Sequence, residues 1–91
     1  MSIVVYAQIT TEKTDGYLTK KIVRDIAKHS RREKGCLQYD LMAKENGYIV
    51  FEEWESRQDL EMYQNSVHFK RLVDAIERDN AIFSVNFSEK L

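Results

Sequence analysis

Asn46 and Gly47 separate two runs with strand character, Cys36 to Lys44 and Tyr48 to Glu55. Both residue types tolerate positive φ, so the dipeptide is the strongest short signal for a β-hairpin. It commits the middle of the chain to an antiparallel pair. With a loop of these two residues, Ala43 faces Val50, Leu41 faces Glu52 and Tyr39 faces Trp54. Met42 opposite Phe51 and Asp40 opposite Glu53 then fall on the other face. A loop one residue longer would exchange the faces.

The remaining segments order themselves around this hairpin. Ile3 to Thr10 (IVVYAQIT) is rich in β-branched residues and reads as a strand. Both of its alternating sets, Ile3/Val5/Ala7/Ile9 and Val4/Tyr6/Gln8, are largely apolar, as in a strand covered on two faces. Leu18, Ile22 and Ile26, with Val23 and Ala27 beside them, mark an amphipathic helix. Thr14 or Asp15 can cap its start. Lys28, Arg31, Arg32 and Lys34 suit its negative end, and Gly35 can take the left-handed stop. Ser56 opens a short helix through about Asn65. Ser66 caps another, carried by Phe69, Leu72, Val73 and Ile76, with Asn80 as its stop. Ala81 to Phe87 (AIFSVNF) is a last strand with Phe83, Val85 and Phe87 on one face.

The order β-α-β-β-α(α)-β predicts an α+β fold, the ferredoxin-like split βαβ with an antiparallel sheet, as one domain over residues 1–91. Helices cover one face of such a sheet. Ile49, Phe51, Phe83 and Val85 predict that the second face is apolar too, and so needs a cover. A homodimer with two sheets packed face to face would supply one.

Bulk properties exclude several function classes. A net charge of −1 gives no case for nucleic acid or an anionic membrane as partner. No apolar run approaches the ~20 residues of a membrane span. The start, MSIVVYAQIT, has neither the basic region nor the apolar core of a signal peptide. The single Cys36 allows no internal disulfide and, with that start, predicts a cytoplasmic protein. One Cys and two His lie far apart in the sequence, and the three Gly are isolated, so neither a metal cluster nor a phosphate loop is legible. No cofactor is predicted.

Three segments together carry a resemblance: Gly35-Cys36-Leu37-x-Tyr39, Glu52-x-Trp54-Glu55-Ser56 and Ser66-x-His68-Phe69. In spacing and element order the chain resembles the antibiotic biosynthesis monooxygenase domain family over nearly its whole length. The resemblance implies a dimeric α+β barrel. It also implies chemistry such as cofactor-free oxygenation of polycyclic phenols and quinols, although other branches of the family isomerise metabolites or degrade haem. There are departures. The family often places His where this chain has Tyr63. The polyketide-oxidising type has Asn and Tyr where this chain has Val50 and Leu60. The residues of the haem-degrading type are absent at Tyr63 and Val73.

The candidate residues follow from both lines. Trp54 is expected to wall a pocket for a flat aromatic molecule, or to pair with Tyr39 across the hairpin. His68, two residues after Ser66, sits where a helix N-terminus disfavours imidazolium, so it is a candidate base. Glu52, on the face of Trp54, Tyr39 and Leu41, is a carboxylate among apolar groups. It either finds a donor or has a raised pKa, and is the second catalytic candidate. Tyr63 is a hydrogen-bond donor and a poor base. Tyr6, and Gln8 with it, can reach the same cavity from the first strand. Asp40 and Glu53 read as salt-bridging residues, Cys36 as packing, and His29 as an edge residue of the long helix.

The function expected is a cofactor-independent monooxygenase acting on a small aromatic phenol or quinol. A non-oxidative isomerase of a small carbonyl metabolite and a non-catalytic dimeric small-molecule-binding or stress module are the alternatives.

Overall fold

The structure is a computed structural model, and it describes residues 1–11 and 15–91. Seven elements follow in the expected order. They are β1 Ile3–Thr10, α1 Tyr17–Ser30, β2 Cys36–Lys44, β3 Gly47–Trp54, α2 Arg57–Gln64, α3 Val67–Arg78 and β4 Ile82–Glu89. The strands form one antiparallel sheet in the order β2-β3-β1-β4, with both crossovers on one side: an α+β ferredoxin-like fold. No helix is long and apolar enough to cross a membrane among the described residues.

The hairpin turns at Glu45-Asn46, not at Asn46-Gly47. Lys44 pairs with Gly47, Tyr39 with Glu52, Leu41 with Val50 and Asp40 with Phe51. Every predicted partner is therefore displaced by two positions, while the faces are kept because side chains alternate with a period of two. Only Asn46 takes positive φ (63°). Gly47 is needed for another reason: a Cβ there would run into the Ile9 carbonyl of the neighbouring strand. The predicted Asp40–Glu53 apposition disappears. Asp40 accepts from Gln38 Nε2 at 2.5 Å, and Glu53 takes Ser2 Oγ at 2.5 Å and Lys90 Nζ at 3.6 Å.

Helix starts and stops follow local chemistry. Ser56 Oγ accepts the Asp59 N–H and Ser66 Oγ accepts the Phe69 N–H, each supplying a partner to an otherwise orphaned donor. Asn80, with φ 54°, turns the chain out of α3. Gly16 is the N-cap of α1, and Asp15 Oδ1 accepts the Tyr17 N–H. The alternative cap, Thr14, lies outside the described residues. α1 ends at Ser30, so the positive φ of Gly35 (81°) serves the turn into β2 instead of the helix stop. A Cβ on Gly35 would enter the Asp59 side chain, so this turn also packs against the first turn of α2.

The core lies between the helices and one sheet face. Ile3, Val5, Ala7 and Ile9 meet Val23, Ile26 and Ala27 of α1 and Leu72 and Ile76 of α3. The buried stripe of α1 is Thr19, Val23, Ile26, Ala27 and Ser30, rotated from the predicted Leu18/Ile22/Ile26 line. Thr19 is buried because α3 satisfies it: its N–H donates to Asp79 Oδ2 at 2.6 Å and its hydroxyl to the Ala75 carbonyl at 3.3 Å.

Phe83 and Val85 correct another expectation. They pair with Ile9 and Ala7 and so lie on the helix side of the sheet, with Phe87 beside Val5. All three stay 37–53% exposed, because β4 is an edge strand that the helices cover only in part. The open face is apolar through other residues: Tyr6 and Met42 are exposed, and Val4, Ile49 and Phe51 are half-buried.

Candidate active site

One row of the sheet places Tyr39, Glu52, Val5 and Phe87 side by side on the helix face. Glu52 is thus held at the centre of the sheet by its strand position. Only 6% of its surface is exposed. Its Oε1 accepts the Trp54 indole N–H at 2.8 Å, the two residues lying on one face of β3. Among the described residues no buried side-chain oxygen is left without a partner, and Oε2 makes no hydrogen bond. Oε2 is therefore open to the adjoining cavity. Burial pushes the carboxyl up to about 7, with the indole N–H pulling the other way.

That cavity, about 50 Å³, runs from Glu52 toward β4. Its other walls are Val5, Ala7, Phe83 and Val85 from the sheet, and Leu60, Tyr63, Gln64 and Phe69 from the helices, with Phe87 at its end. Leu60, Gln64 and Phe87 also border a wider hollow of about 370 Å³ that includes Arg57 and Glu61. The two hollows, an inner cavity and a wider vestibule, are neighbours that share these three side chains.

Above Glu52 lies an aromatic stack with a hydroxyl chain. Trp54, fully buried, stacks on Tyr63 with centroids 4.7 Å apart at 27°. Tyr39 and Phe69 meet the Tyr63 ring edge-on at 6.3 and 5.4 Å. The Tyr39 and Tyr63 hydroxyls are 3.3 Å apart. Ser30 Oγ lies 2.9 Å from the Tyr63 hydroxyl and 2.6 Å from the Ile26 carbonyl. A carbonyl only accepts, so the single serine proton goes to Ile26. The Tyr63 proton then goes to Ser30 and the Tyr39 proton to Tyr63. Burial, with the neighbouring Glu52, raises the Tyr39 phenol to about 12; burial, then Tyr39 and Glu52, raises Tyr63 well above its usual range. Both are fixed donors, not bases. Burial and the Glu52 carboxylate raise the Cys36 thiol as well, so it is no ready nucleophile.

The structure brings together Glu52, Trp54, Tyr63 and Tyr39, though not in the expected contacts. Trp54 pairs with Cys36, past an irregularity of the register between Cys36 and Gln38, and stacks on Tyr63, not on Tyr39. His68 does not join them. Its ring stacks on His29 of α1, centroids 4.0 Å apart, beside a separate shallow hollow with Asp25 and Arg71. The first turn of α3 directs Phe69 toward the cavity and its neighbour His68 away from it. Tyr6 and Gln8 project from the opposite face of β1, whose alternate residues Val5 and Ala7 line the cavity. Ser30 was not legible as part of this group. Its only signal is a small polar residue four positions after Ile26, within the apolar stripe of α1.

Comparison with known proteins bears on this arrangement. The family model described as antibiotic biosynthesis monooxygenase matches residues 1–75. A Bacillus subtilis (strain 168) protein named "Putative monooxygenase YcnE" is 30% identical over 71 residues, 75% of this chain and 73% of that one. The crystal structure of PA3566 from Pseudomonas aeruginosa is 26% identical, covers 99% of this chain and 94% of its own, and superposes with a TM-score of 0.84. A conserved protein of Bacteroides thetaiotaomicron VPI-5482 shares the fold at 18% identity and a TM-score of 0.85, over 98% of this chain and 97% of that one.

Proposed function

Because the chain belongs to the antibiotic biosynthesis monooxygenase family, we propose that it is a monooxygenase that needs no added cofactor and acts on a small, flat phenol or quinol, with Glu52 as its base. The observation that carries this reading is the state of Glu52. It is a buried carboxyl raised to about 7, with one oxygen held by Trp54 and the other open to an apolar cavity. An ordinary carboxylate near pKa 4.3 is too weak to take a phenolic proton efficiently; one near 7 is matched to neutral pH.

The substrate ring lies in the outer vestibule with its hydroxyl directed past Leu60, Gln64 and Phe87 to Glu52. The carboxylate takes the phenolic proton. The resulting anion carries electron density to an ortho or para carbon that bears hydrogen, which reduces dioxygen and forms a C–O bond. Glu52, now protonated, returns its proton to the peroxide. Loss of water leaves a carbonyl. In balance, one CH₂ of the keto tautomer and one O₂ become C=O and H₂O. Tyr63 and Tyr39, locked as donors, keep the Trp54 ring and the wall above Glu52 in place.

Oxygen consumption with a panel of quinols and anthrones, with no cofactor added, tests the reaction; no turnover above buffer on any member ends it. Product formed at the same rate without oxygen would favour the isomerase. His68→Ala should leave turnover intact, because His68 opens onto a different hollow.

Trp54→Phe gives a sharper readout of the base. It keeps an aromatic ring on Tyr63 but removes the N–H that holds the Glu52 charge. The Glu52 pKa should then rise above 7, and the acid limb of the kcat/KM profile should move to higher pH by roughly one unit. An unmoved limb would mean that another group titrates.

The same reading includes a homodimer in the cytoplasm. Tyr6, Met42 and Ile82 are exposed on the open sheet face around the half-buried Val4, Ile49 and Phe51. Contiguous apolar surface of this kind favours a partner, and a second copy is self-complementary. Sedimentation at micromolar concentration should give twice the chain mass; a stable monomer would refute the dimer.

A further inference from the structure

The inner cavity is too small for the ring of any phenol. At about 50 Å³ it is a third of the ~150 Å³ that holds a benzene molecule in a protein core. Its walls are methyls and aromatic edges from Val5, Ala7, Phe69 and Val85. A buried water makes two to four hydrogen bonds, and of this lining only Glu52, Gln64 and the Tyr63 hydroxyl are polar, which is the low end of that range once the Tyr63 hydroxyl is set aside. That hydroxyl is already engaged with Ser30 and Tyr39. A diatomic apolar molecule fits both the size and the lining. The cavity also shares Leu60, Gln64 and Phe87 with the vestibule, so a molecule held in it would lie beside the substrate hydroxyl and next to Glu52.

We infer that the inner cavity walled by Val5, Ala7 and Val85 is a dioxygen subsite, separate from the vestibule that takes the organic substrate. This rests on the oxygenase reading above and adds to it a division of the site. Dioxygen held there meets the substrate anion at the cavity mouth, and the peroxide formed lies beside the protonated Glu52. The step balances as already written, because the proton that Glu52 removed is the one it returns. The subsite also accounts for Ala7: a larger side chain in the middle of β1 would fill the space.

Dissolved dioxygen is paramagnetic, so it reports its own position without turnover. Methyl NMR spectra recorded at rising oxygen pressure should show shifts and broadening at Val5, Ala7 and Val85 several-fold larger than at Ile9 and Val23. Those two are fully buried and are not among the side chains around the cavity. An equal response in the two sets overturns the subsite. Val85→Ile and Ala7→Val fill the cavity from neighbouring strands. The edge position of Val85 tolerates added volume if Ala7 does not. Each should abolish the excess response and raise KM for dioxygen about tenfold, leaving KM for the organic substrate within about twofold. An unchanged KM for dioxygen with the cavity filled also overturns it. If no quinol is turned over, the proposed reaction fails while the oxygen-pressure spectra still decide the subsite.

Discussion

Glu52→Gln should lose nearly all turnover and yet fold more firmly above neutral pH. Gln keeps the shape and can still accept the Trp54 N–H, but it takes no proton, so kcat should fall roughly 10²–10⁴-fold, the usual contribution of a placed acid–base group. The stability change follows from the same burial. In the unfolded chain the carboxyl titrates near 4.5, and in the folded protein near 7. Its folded pKa is raised, so the folded state binds the extra proton. The wild-type protein is therefore at full stability below pH 4.5 on this account, loses stability as pH rises through 7, and levels off above it. A displacement of this size corresponds to at most about 3 kcal/mol. Glu52→Gln removes that loss. Urea unfolding at pH 8 should show the variant more stable by about 1–3 kcal/mol, and at pH 4 the two proteins should be level. Equal midpoints at pH 8 would mean that Glu52 is not held in its raised state, and its role as base would fall with it.

The second large effect is at Trp54. Trp54→Ala should cost about 3–5 kcal/mol, as for other fully buried aromatic residues truncated to Ala. A chain of this length has roughly 5–14 kcal/mol in total, so the variant sits near the edge of folding. Three consequences combine. The ring leaves a void, Tyr63 loses its stacking partner, and Glu52 loses the only side-chain hydrogen bond it makes among the described residues. Far-UV circular dichroism through a urea titration measures this directly, since the variant has no tryptophan to follow. A loss below about 1 kcal/mol would show that the aromatic stack is dispensable. Trp54→Phe should fall well short of the Ala variant, because most of the ring volume remains.

Much of this was legible locally. Ser56 and Ser66 announce the starts of α2 and α3, because a hydroxyl before an apolar stripe needs nothing beyond its own turn to act as a cap. Asn80 announces the stop in the same way. Glu52 stood out because a carboxylate alternating with Val50 and Trp54 must either be paired or have its pKa raised; it is both. The convergence of His68 was not legible. Residues 68 and 69 adjoin in sequence but point to different sides of α3, and the docking angle of that helix decides which side meets Glu52. Tyr6 failed for a related reason. A strand apolar on both faces does not say which set the helices will cover, and they cover Val5 and Ala7.

The sequence by itself determined the order of elements, the ferredoxin-like fold and the family, because propensity, capping and side-chain periodicity act within a few residues of one another. It also set which side chains of the hairpin share a face. The tertiary structure alone decided the register, displaced by two, with Gly47 at a point where a Cβ would strike the Ile9 carbonyl of β1. It alone assembled Ser30, Tyr39, Tyr63, Trp54 and Glu52 into one group and left His68 outside it. Those contacts join residues that are distant in sequence, and only the packing of α1 and α3 on the sheet brings such residues together.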